Sequence, residues 1–394
     1  MPVHISCQFD AGNIVVVGEP GETSAVLRLR PEPFTEGTDK KQHAQWFYFK
    51  ASNVPVGGRL DLSIGGLLES SYPEAWPGYT VAATYDRENW FRVLSTEYDA
   101  AAGDLKWTLS PCESSQVYFA YFAPYSWERH ADLIARCAMN PLASVQVLGS
   151  TLDGRDIEMV TAGDGPLAVW VNCRQHPGES MAEWLAEGFL ERLLDPLDAL
   201  AAQLRRLATF RCVPNMNPDG SVRGHLRTNA CGANLNREWA STGDYIAPSL
   251  ERSPEVLHVL AALDAHGCDA YVDVHGDEEI AANFFAGTQG IPSWSPRLEG
   301  LFKSFSNSLA RVNPDFQLEK GYGDDDPGQA NLAICADQVA QRFDCLAVTL
   351  EQPFKDSTHD TPMPHCGWTP QRARRLGASL LDAFNDVMPS LRDA

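Results

Sequence analysis

Over the first 116 residues, apolar and polar positions alternate along short stretches, a pattern typical of half-buried β-strands. Gly, Pro and Asn turns separate these stretches from further runs rich in β-branched and aromatic residues. The strands predicted in this way cover residues 4–9, 13–17, 25–30, 46–50, 59–64, 80–84, 90–94 and 105–109. Seven or eight short strands at this spacing predict an antiparallel β-sandwich. No His or carboxylate cluster within it has ligand spacing, so we expect this region to do no chemistry.

The second part of the chain shows a different pattern, in which apolar runs of strand length alternate with stretches of helical periodicity. The predicted strands are 118–122, 167–172, 209–214, 269–275 and 345–350, and the predicted helices are 126–136, 180–195, 254–266, 296–312 and 369–388. This alternation predicts an α/β fold, a mixed sheet with helices on both faces. The Pro-containing break at 111–115 suggests two domains, 1–116 and 117–394.

Composition narrows the classes of function. The chain has 394 residues, 44% of them hydrophobic, as in an ordinary globular protein, and its net charge of −21 argues against nucleic acid or an anionic membrane as a partner. No apolar run approaches the length of a membrane span, and the N-terminus has no signal-peptide pattern. Ten scattered cysteines indicate reduced thiols, so we expect a cytoplasmic protein whose oligomeric state is unknown.

A candidate metal site begins in the loop after strand 167–172, where His176 and Glu179 lie three residues apart. Ser180 and Glu183 have the spacing of a capping box, which predicts a helix directly after the pair and favours an ionised Glu179. In an open α/β sheet such a loop lies at the carboxyl edge of the strands, where ligands bind. A His and a Glu at this spacing also occur by chance, so a third ligand is required.

His275 supplies the third candidate ligand, because it directly follows the apolar strand ending at residue 274. Two strand ends of one sheet would then present His, Glu and His, the three-protein-ligand set of a catalytic zinc site, with the fourth position left to water. We therefore expect one zinc ion per chain.

Two arginines, Arg227 and Arg237, lie in the long loop after strand 209–214. Two guanidinium groups at one sheet edge would offer fixed planar donors to a carboxylate or an oxyanion. A lone arginine is more often a surface residue, so the residues alone leave both interpretations open.

Five motifs in this order resemble the zinc metallocarboxypeptidases. They are His-Pro-Gly-Glu at 176–179, Asn-Pro-Asp-Gly at 217–220, Asn-Leu-Asn-Arg at 234–237, Asp-Val-His-Gly at 273–276 and Thr-Leu-Glu at 349–351. With a β-sandwich in front, the chain is similar to the cytosolic carboxypeptidase branch, whose animal members trim glutamates from tubulin tails. The motifs belong to residues 118–394, whereas the N-terminal part resembles the branch only in position and strand pattern.

The resemblance implies a zinc site formed by His176, Glu179 and His275. It further implies that Glu351 is the general base, which takes a proton from zinc-bound water. Arg227 matches the arginine that stabilises the tetrahedral oxyanion, a contribution of about 3–4 kcal/mol in other enzymes.

The resemblance also implies a clamp for the substrate. Asn236 and Arg237 match the pair that holds the terminal carboxylate and makes the reaction exo, and Tyr322 is the nearest candidate for the mobile tyrosine that caps it. One departure is Asn234, where many members have an Asp that supports a zinc-binding His; an amide oxygen can accept the same hydrogen bond without the charge.

The preferred C-terminal residue stays open. A glutamate-trimming enzyme needs basic groups in its pocket, for which Lys320, Arg311 and Arg342 are candidates, but the acidic stretches 277–279 and 324–326 would repel a polyacidic tail. A basic or neutral C-terminal residue is therefore an alternative to glutamate.

Our main interpretation is a zinc-dependent carboxypeptidase acting on peptide or protein C-termini. One alternative is a zinc amidohydrolase of N-acyl amino acids, of the aspartoacylase or desuccinylase type. Another is a catalytically silent peptide-binding scaffold, against which the intact ligand set and Glu351 count.

Overall fold

The computed structural model describes residues 1–35, 42–240, 247–357, 363 and 365–392. The N-terminal part forms two five-stranded sheets. Its strands are β1 (His4–Ser6), β2 (Val15–Val17), β3 (Ser24–Arg28), β4 (Tyr48–Ser52), β5 (Leu60–Gly65), β6 (Ala82–Thr84), β7 (Phe91–Arg92), β8 (Glu97–Asp99), β9 (Asp104–Leu109) and β10 (Gln116–Ala120). The strand order is β1-β4-β10-β6-β7 in one sheet and β2-β3-β5-β9-β8 in the other.

The two sheets pack face to face through buried aromatic rings. The ring of Trp107 on β9 lies 6.4 Å from that of Phe49 on β4 and 5.6 Å from that of Phe119 on β10. All strand pairs in these sheets are antiparallel except β3 with β5, because the intervening β4 belongs to the opposite sheet. The predicted antiparallel sandwich is therefore confirmed, with this one parallel pair.

Strand β10 lies across the domain boundary that the sequence pattern suggests. Strand β10, predicted as the first strand of the second domain, pairs with β4 on one side and β6 on the other. We therefore propose that the first domain extends through β10 instead of ending at residue 116. The pairing joins segments far apart in the chain, which chain order alone does not reveal.

The second part is a seven-stranded mixed sheet in the order β11-β12-β14-β13-β15-β17-β16, with helices packed against it. Its strands are β11 (Ala143–Ser150), β12 (Asp156–Ala162), β13 (Leu167–Cys173), β14 (Ala208–Val213), β15 (Ala270–Val274), β16 (Phe284–Ala286) and β17 (Leu346–Glu351). Its helices are α1 (Trp127–Met139), α2 (Met181–Leu193), α3 (Ala199–Leu207), α4 (Pro218–Arg223), α5 (Pro254–His266), α6 (Pro296–Val312), α7 (Cys335–Phe343) and α8 (Pro370–Val387). Short 3₁₀ helices cover Leu67–Glu69, Pro73–Ala75, Leu235–Arg237 and Met388–Ser390.

The centre of this sheet places the site. Strands β14, β13, β15 and β17 are neighbours and parallel, and every residue of β15 and β17 is buried. Cys173 is level with Val274, which is level with Leu350. The residues that follow these three therefore leave the sheet at one edge, as the sequence pattern predicts. Nowhere in the described residues is a helix long and apolar enough to cross a membrane.

The predicted capping box at the start of α2 is wrong. The hydroxyl of Ser180 donates to the carbonyl oxygen of Ala123 at 2.9 Å instead of capping the helix. Glu183 is fully buried and pairs with Arg174 at 2.5 Å and His130 at 2.6 Å. The helix begins where expected, but burial draws both side chains toward partners in other elements.

Candidate metal site and cleft

His176, Glu179 and His275 converge at the carboxyl edge of the sheet, and each offers one ligand atom within 4.8 Å of the others. The Nδ1 atom of His176 lies 2.7 Å from Glu179 Oε1 and 3.1 Å from Nδ1 of His275. The same His275 nitrogen lies 2.9 Å from Glu179 Oε2. Two imidazole nitrogens and a carboxylate therefore face one point, which is the donor set that zinc takes in catalytic sites.

The second nitrogen of each imidazole is held by a side-chain oxygen. His176 Nε2 lies 3.1 Å from Asn234 Oδ1, and His275 Nε2 lies 2.9 Å from Asp273 Oδ2. Such contacts orient the ring so that Nδ1 points toward the ligand position. The amide contact that the resemblance implies for Asn234 is thus present, although it carries no charge.

The pKa shifts of His176 and Glu179 suit a cation. Burial and the nearby Arg227 lower the pKa of His176 to about 3, so its imidazole is neutral, as a ligand must be. Burial alone would raise the pKa of Glu179, but the two histidines hold it below its usual value. Burial would lower the pKa of His275, but Asp273 and Glu179 raise it well above its usual value, so this imidazole must release a proton when a metal binds. The residues present therefore fit a bound divalent metal.

Glu351 ends β17 beside these ligands and is almost fully buried. Its Oε1 accepts a hydrogen bond from the Tyr322 hydroxyl at 3.2 Å, whereas its Oε2 has no partner among the described residues. Burial raises its pKa to about 8, an effect that His275 opposes and that Glu179 and Asp277 reinforce. A pKa close to neutral suits a group that both takes up and releases a proton, and the unpartnered Oε2 is the atom that would carry it.

Tyr322 also donates to Asp277 Oδ2 at 2.6 Å and packs edge-on against the ring of Phe284 at 5.0 Å. About half of its surface is exposed. The structure therefore brings the sequence-predicted tyrosine to the general-base candidate, with its hydroxyl held between two carboxylates.

The arginine candidates approach the same place from a different loop. The Nη1 atom of Arg227 lies 3.3 Å from His176 Nδ1. Asn236 is buried, its Oδ1 accepts from the backbone N–H of Cys335 at 2.8 Å, and its Nδ2 lies 3.5 Å from His275 Nε2. Arg237 is exposed, and its guanidinium donates to the carbonyl oxygen of Asn236 at 2.7 Å.

All eight candidate residues line one cleft of about 680 Å³, a normal volume for a small-ligand site. They are His176, Glu179, Arg227, Asn236, Arg237, His275, Tyr322 and Glu351. Of the candidate basic groups for the specificity pocket, Lys320 lines this cleft as well. Arg311 and Arg342 instead form ion pairs elsewhere, with Asp386 and Asp264.

Acidic groups dominate the rest of the lining. Apart from Glu179 and Glu351, the carboxylates are Asp277, Glu278, Glu279, Glu319, Asp324, Asp325 and Asp337. Asp337 is nearly buried, and its pKa is raised to about 7 by burial and by Asp325, an effect that Arg237 opposes. Burial and the neighbouring Glu179 raise the pKa of Glu278 well above its usual value.

Sequence reasoning missed several residues that support the site. Asp273 could have been found, since it lies two residues before His275 in a strand and so points to the same face. Arg174, whose Nε donates to the carbonyl oxygen of Pro177 at 2.8 Å, and Glu32, which contacts the Arg227 loop, give no such local signal.

Comparison with known proteins shows two family matches. Residues 5–122 match the model of the cytosolic carboxypeptidase N-terminal domain, and residues 133–359 match that of the zinc carboxypeptidases. An uncharacterised protein of Zymomonas mobilis is 45% identical over 391 residues, covering 99% of this chain and 98% of its own. Cytosolic carboxypeptidase 2 of Danio rerio is 30% identical over 262 residues, which cover 59% of this chain but only 36% of that longer protein.

A solved structure with the same architecture is the metallo-carboxypeptidase from Pseudomonas aeruginosa, in complex with (2-guanidinoethylmercapto)succinic acid. It is 43% identical, has a TM-score of 0.91 and aligns over 99% of this chain and 100% of its own. The similarity thus covers the sandwich as well as the seven-stranded domain.

Proposed function

The chain belongs to the zinc carboxypeptidase family, in its cytosolic carboxypeptidase branch, and from this membership we propose that it removes single residues from the C-termini of peptides or proteins. The observation that carries the proposal is the convergence of the ligand set, Glu351, Arg227 and the Asn236–Arg237 pair on one cleft. We further propose that one zinc ion binds to His176, Glu179 and His275.

Zinc bound there would polarise the scissile carbonyl and lower the pKa of water. Glu351, which lines the cleft and whose Oε2 has no hydrogen-bond partner among the described residues, accepts the proton of the attacking water and then delivers it to the leaving amine. The guanidinium of Arg227 donates to the oxyanion that forms on the former carbonyl oxygen. Asn236 and Arg237 hold the terminal carboxylate, so that only a chain end fits.

Tyr322 is proposed to close the cleft over the bound carboxylate. Its half-exposed surface and the hydrogen bonds of its hydroxyl to Asp277 and Glu351 support this proposal. Substrate entry would exchange these contacts for one with the substrate.

For the preferred C-terminal residue we propose a basic side chain, lysine or arginine, in place of glutamate. After Glu179 and Glu351 are set aside, seven carboxyl groups line the cleft. Even without Glu278 and Asp337, whose raised pKa values favour the neutral form, five acidic groups remain against Arg227, Arg237 and Lys320. Two of these cations have roles in the mechanism above, which leaves Lys320 alone to attract an acidic side chain. Asp337, nearly buried beside Arg237, is the group that would pair with an incoming ammonium or guanidinium. The guanidino ligand of the Pseudomonas neighbour is consistent with this preference.

The test begins with zinc analysis of the purified protein and mass spectrometry of peptides that differ only in their C-terminal residue. About one zinc per chain and stepwise loss of single residues are expected. Zinc without peptide cleavage, but with hydrolysis of N-acyl amino acids, would replace the exopeptidase by the amidohydrolase. Preferred release of glutamate would refute the basic pocket while leaving the exopeptidase intact.

A variant pair tests the pocket directly. Asp337→Asn should lower kcat/KM for C-terminal lysine and arginine about tenfold or more relative to a neutral residue, the size of one good ion pair of about 1.4 kcal/mol. Asp344→Asn is the matched control, because Asp344 lies at the far end of the same helix in an exposed ion pair with Arg297. Equal effects in both variants would contradict the assignment of Asp337.

We also propose a cytoplasmic location, on the basis of the cytosolic relatives. Cell fractionation with an antibody to the native protein tests it.

A further inference from the structure

A buried carboxylate of the N-terminal domain, Glu32, contacts the loop that carries Arg227. Glu32 is 2% exposed. Its Oε1 accepts the backbone N–H groups of Leu226 at 2.7 Å and Arg227 at 3.0 Å. Its Oε2 accepts the backbone N–H of Thr228 at 2.9 Å and the hydroxyl of the same residue at 2.6 Å. Four donors of one loop therefore converge on one side chain from the other domain.

The same segment also contacts the loop that carries His176 and Glu179. The backbone N–H of Gly178 donates to the carbonyl oxygen of Leu226 at 2.9 Å. A Cβ atom at Gly178 would lie only 2.7 Å from the Cα atom of Leu226, so the two backbones touch where glycine permits it. The segment 226–228 is thus clamped between Glu32 and the His176 loop.

The sandwich also reaches the guanidinium of Arg227 itself. The Cζ atom of Arg227 lies 5.9 Å from the ring centroid of Tyr72, within the range of a cation–π contact. The backbone N–H of Tyr72 donates to Gln45 Oε1 at 3.1 Å, and Tyr72 lines the cleft. Both the backbone and the side chain of Arg227 therefore take part of their position from the first domain.

We infer that Glu32 is a positioning residue for Arg227, so that the sandwich is a structural part of the catalytic site. The inference rests on the proposed function, in which Arg227 stabilises the oxyanion. Hydrogen bonds from backbone N–H groups to a carboxylate are short and strong, which makes Glu32 a stiff anchor for the loop. Positional errors near 1 Å in catalytic groups can cost about 100-fold in rate, so loosening this anchor should act mainly on kcat.

The first experiment compares Glu32→Gln with the wild type. The variant keeps the size of the side chain but turns an NH₂ group toward donors that need an acceptor. We expect kcat to fall about 10- to 100-fold, with KM changed by less than about threefold, because ground-state binding does not use the oxyanion contact. The matched control is Asp10→Asn, a sandwich carboxylate that accepts the backbone N–H of Trp127 at 2.9 Å on another part of the second domain. It should leave both constants near those of the wild type.

A double-mutant cycle separates positioning from general destabilisation. In an Arg227→Ala background, Glu32→Gln should have almost no further effect on kcat, because the group that it positions is gone. Equal fractional losses in the two backgrounds would overturn the inference. If Glu32→Gln does not fold, Glu32→Asp keeps the charge while withdrawing it by one methylene, and the same cycle applies.

The outcomes also separate this inference from the function on which it rests. A wild-type chain that cleaves no peptide would refute the proposed function and the inference with it. An active wild type with an unchanged Glu32→Gln variant would refute the inference alone.

Discussion

Replacing Asn234 by Asp would place a charge behind one of the two proposed zinc-binding histidines. Within this site the two rings differ in their support, because Asp273 holds His275 Nε2 at 2.9 Å whereas the amide of Asn234 holds His176 Nε2 at 3.1 Å. A carboxylate partner raises the basicity of a ligand imidazole, and an amide does so much less. We therefore expect Asn234→Asp to bind zinc more tightly.

The size of the effect is bounded by two estimates. A unit charge 3.1 Å from the ring nitrogen interacts with an imidazolium-like charge by about 5 kcal/mol at an effective dielectric constant of 20. Asn234 is half-buried, so desolvation of the new carboxylate offsets much of this gross energy. Changes in such supporting residues alter metal affinity by about 10- to 100-fold, which corresponds to about 1.4 to 2.8 kcal/mol.

The assay is competition for zinc between the protein and a chromophoric chelator at fixed pH. The reciprocal variant, Asp273→Asn, is the matched control, because it makes the same exchange in the opposite direction behind the other histidine. It should weaken zinc binding by a similar factor. One combination of results would refute the idea that Asn234 limits the affinity of this site. In it, Asn234→Asp and the wild type bind zinc with affinities within about twofold of each other, while Asp273→Asn binds zinc more weakly.

Three further predictions concern the site and the fold. Glu351→Gln should keep zinc and fold but lower kcat about 10²- to 10⁴-fold, whereas His176→Ala should lose the metal; equal zinc loss in metal analysis would contradict these roles. Burial alone would lower the pKa of His130, but Glu183 and Glu158 raise it from 6.5 to about 9. The charged imidazole therefore stabilises the folded chain by up to about 3 kcal/mol below pH 6.5, and this stabilisation is lost as the pH rises through 9. His130→Gln should therefore flatten the fall in melting temperature over this range, and an unchanged slope would argue against a charged His130. Gly188→Ala should destabilise the chain by about 1–3 kcal/mol in urea unfolding, because the new Cβ would lie 2.1 Å from the carbonyl oxygen of Arg374, whereas Gly300→Ala, with no atom within 4 Å, should not.

The convergence of the three candidate metal ligands could be predicted from the sequence because its determinants are local. His176 and His275 each follow a strand with a clear apolar pattern, and parallel strands end at one edge of a sheet. The long helices are equally predictable from the sequence, since α5 and α6 have the predicted bounds, 254–266 and 296–312. What the pattern did not reveal were short or amphipathic elements such as the hairpin of β11 and β12, whose faces are only partly buried.

Burial also explains why two residues do not form the helix cap that their spacing predicts. Ser180 and Glu183 have the spacing of a helix cap, yet Glu183 lies in a buried network with Arg174 and His130. The local rule describes an exposed helix end, where the two side chains have only each other and the backbone as partners. In a core position, the carboxylate pairs with partners from other elements, because leaving a buried carboxylate unpaired costs several kcal/mol.

The contact between Glu32 and Arg227 could not be predicted from the sequence. The two residues are separated by 195 positions, and neither one's neighbours in the chain indicate the other. We expected the sandwich to do no chemistry because it has no ligand cluster, and that expectation concerned its own side chains alone. A domain can serve a reaction without contributing a reacting group if it holds the backbone of a residue that does. The carboxylate of Glu32 satisfies three backbone N–H groups next to the proposed oxyanion donor, so the effect of the sandwich on catalysis should pass through the position of Arg227.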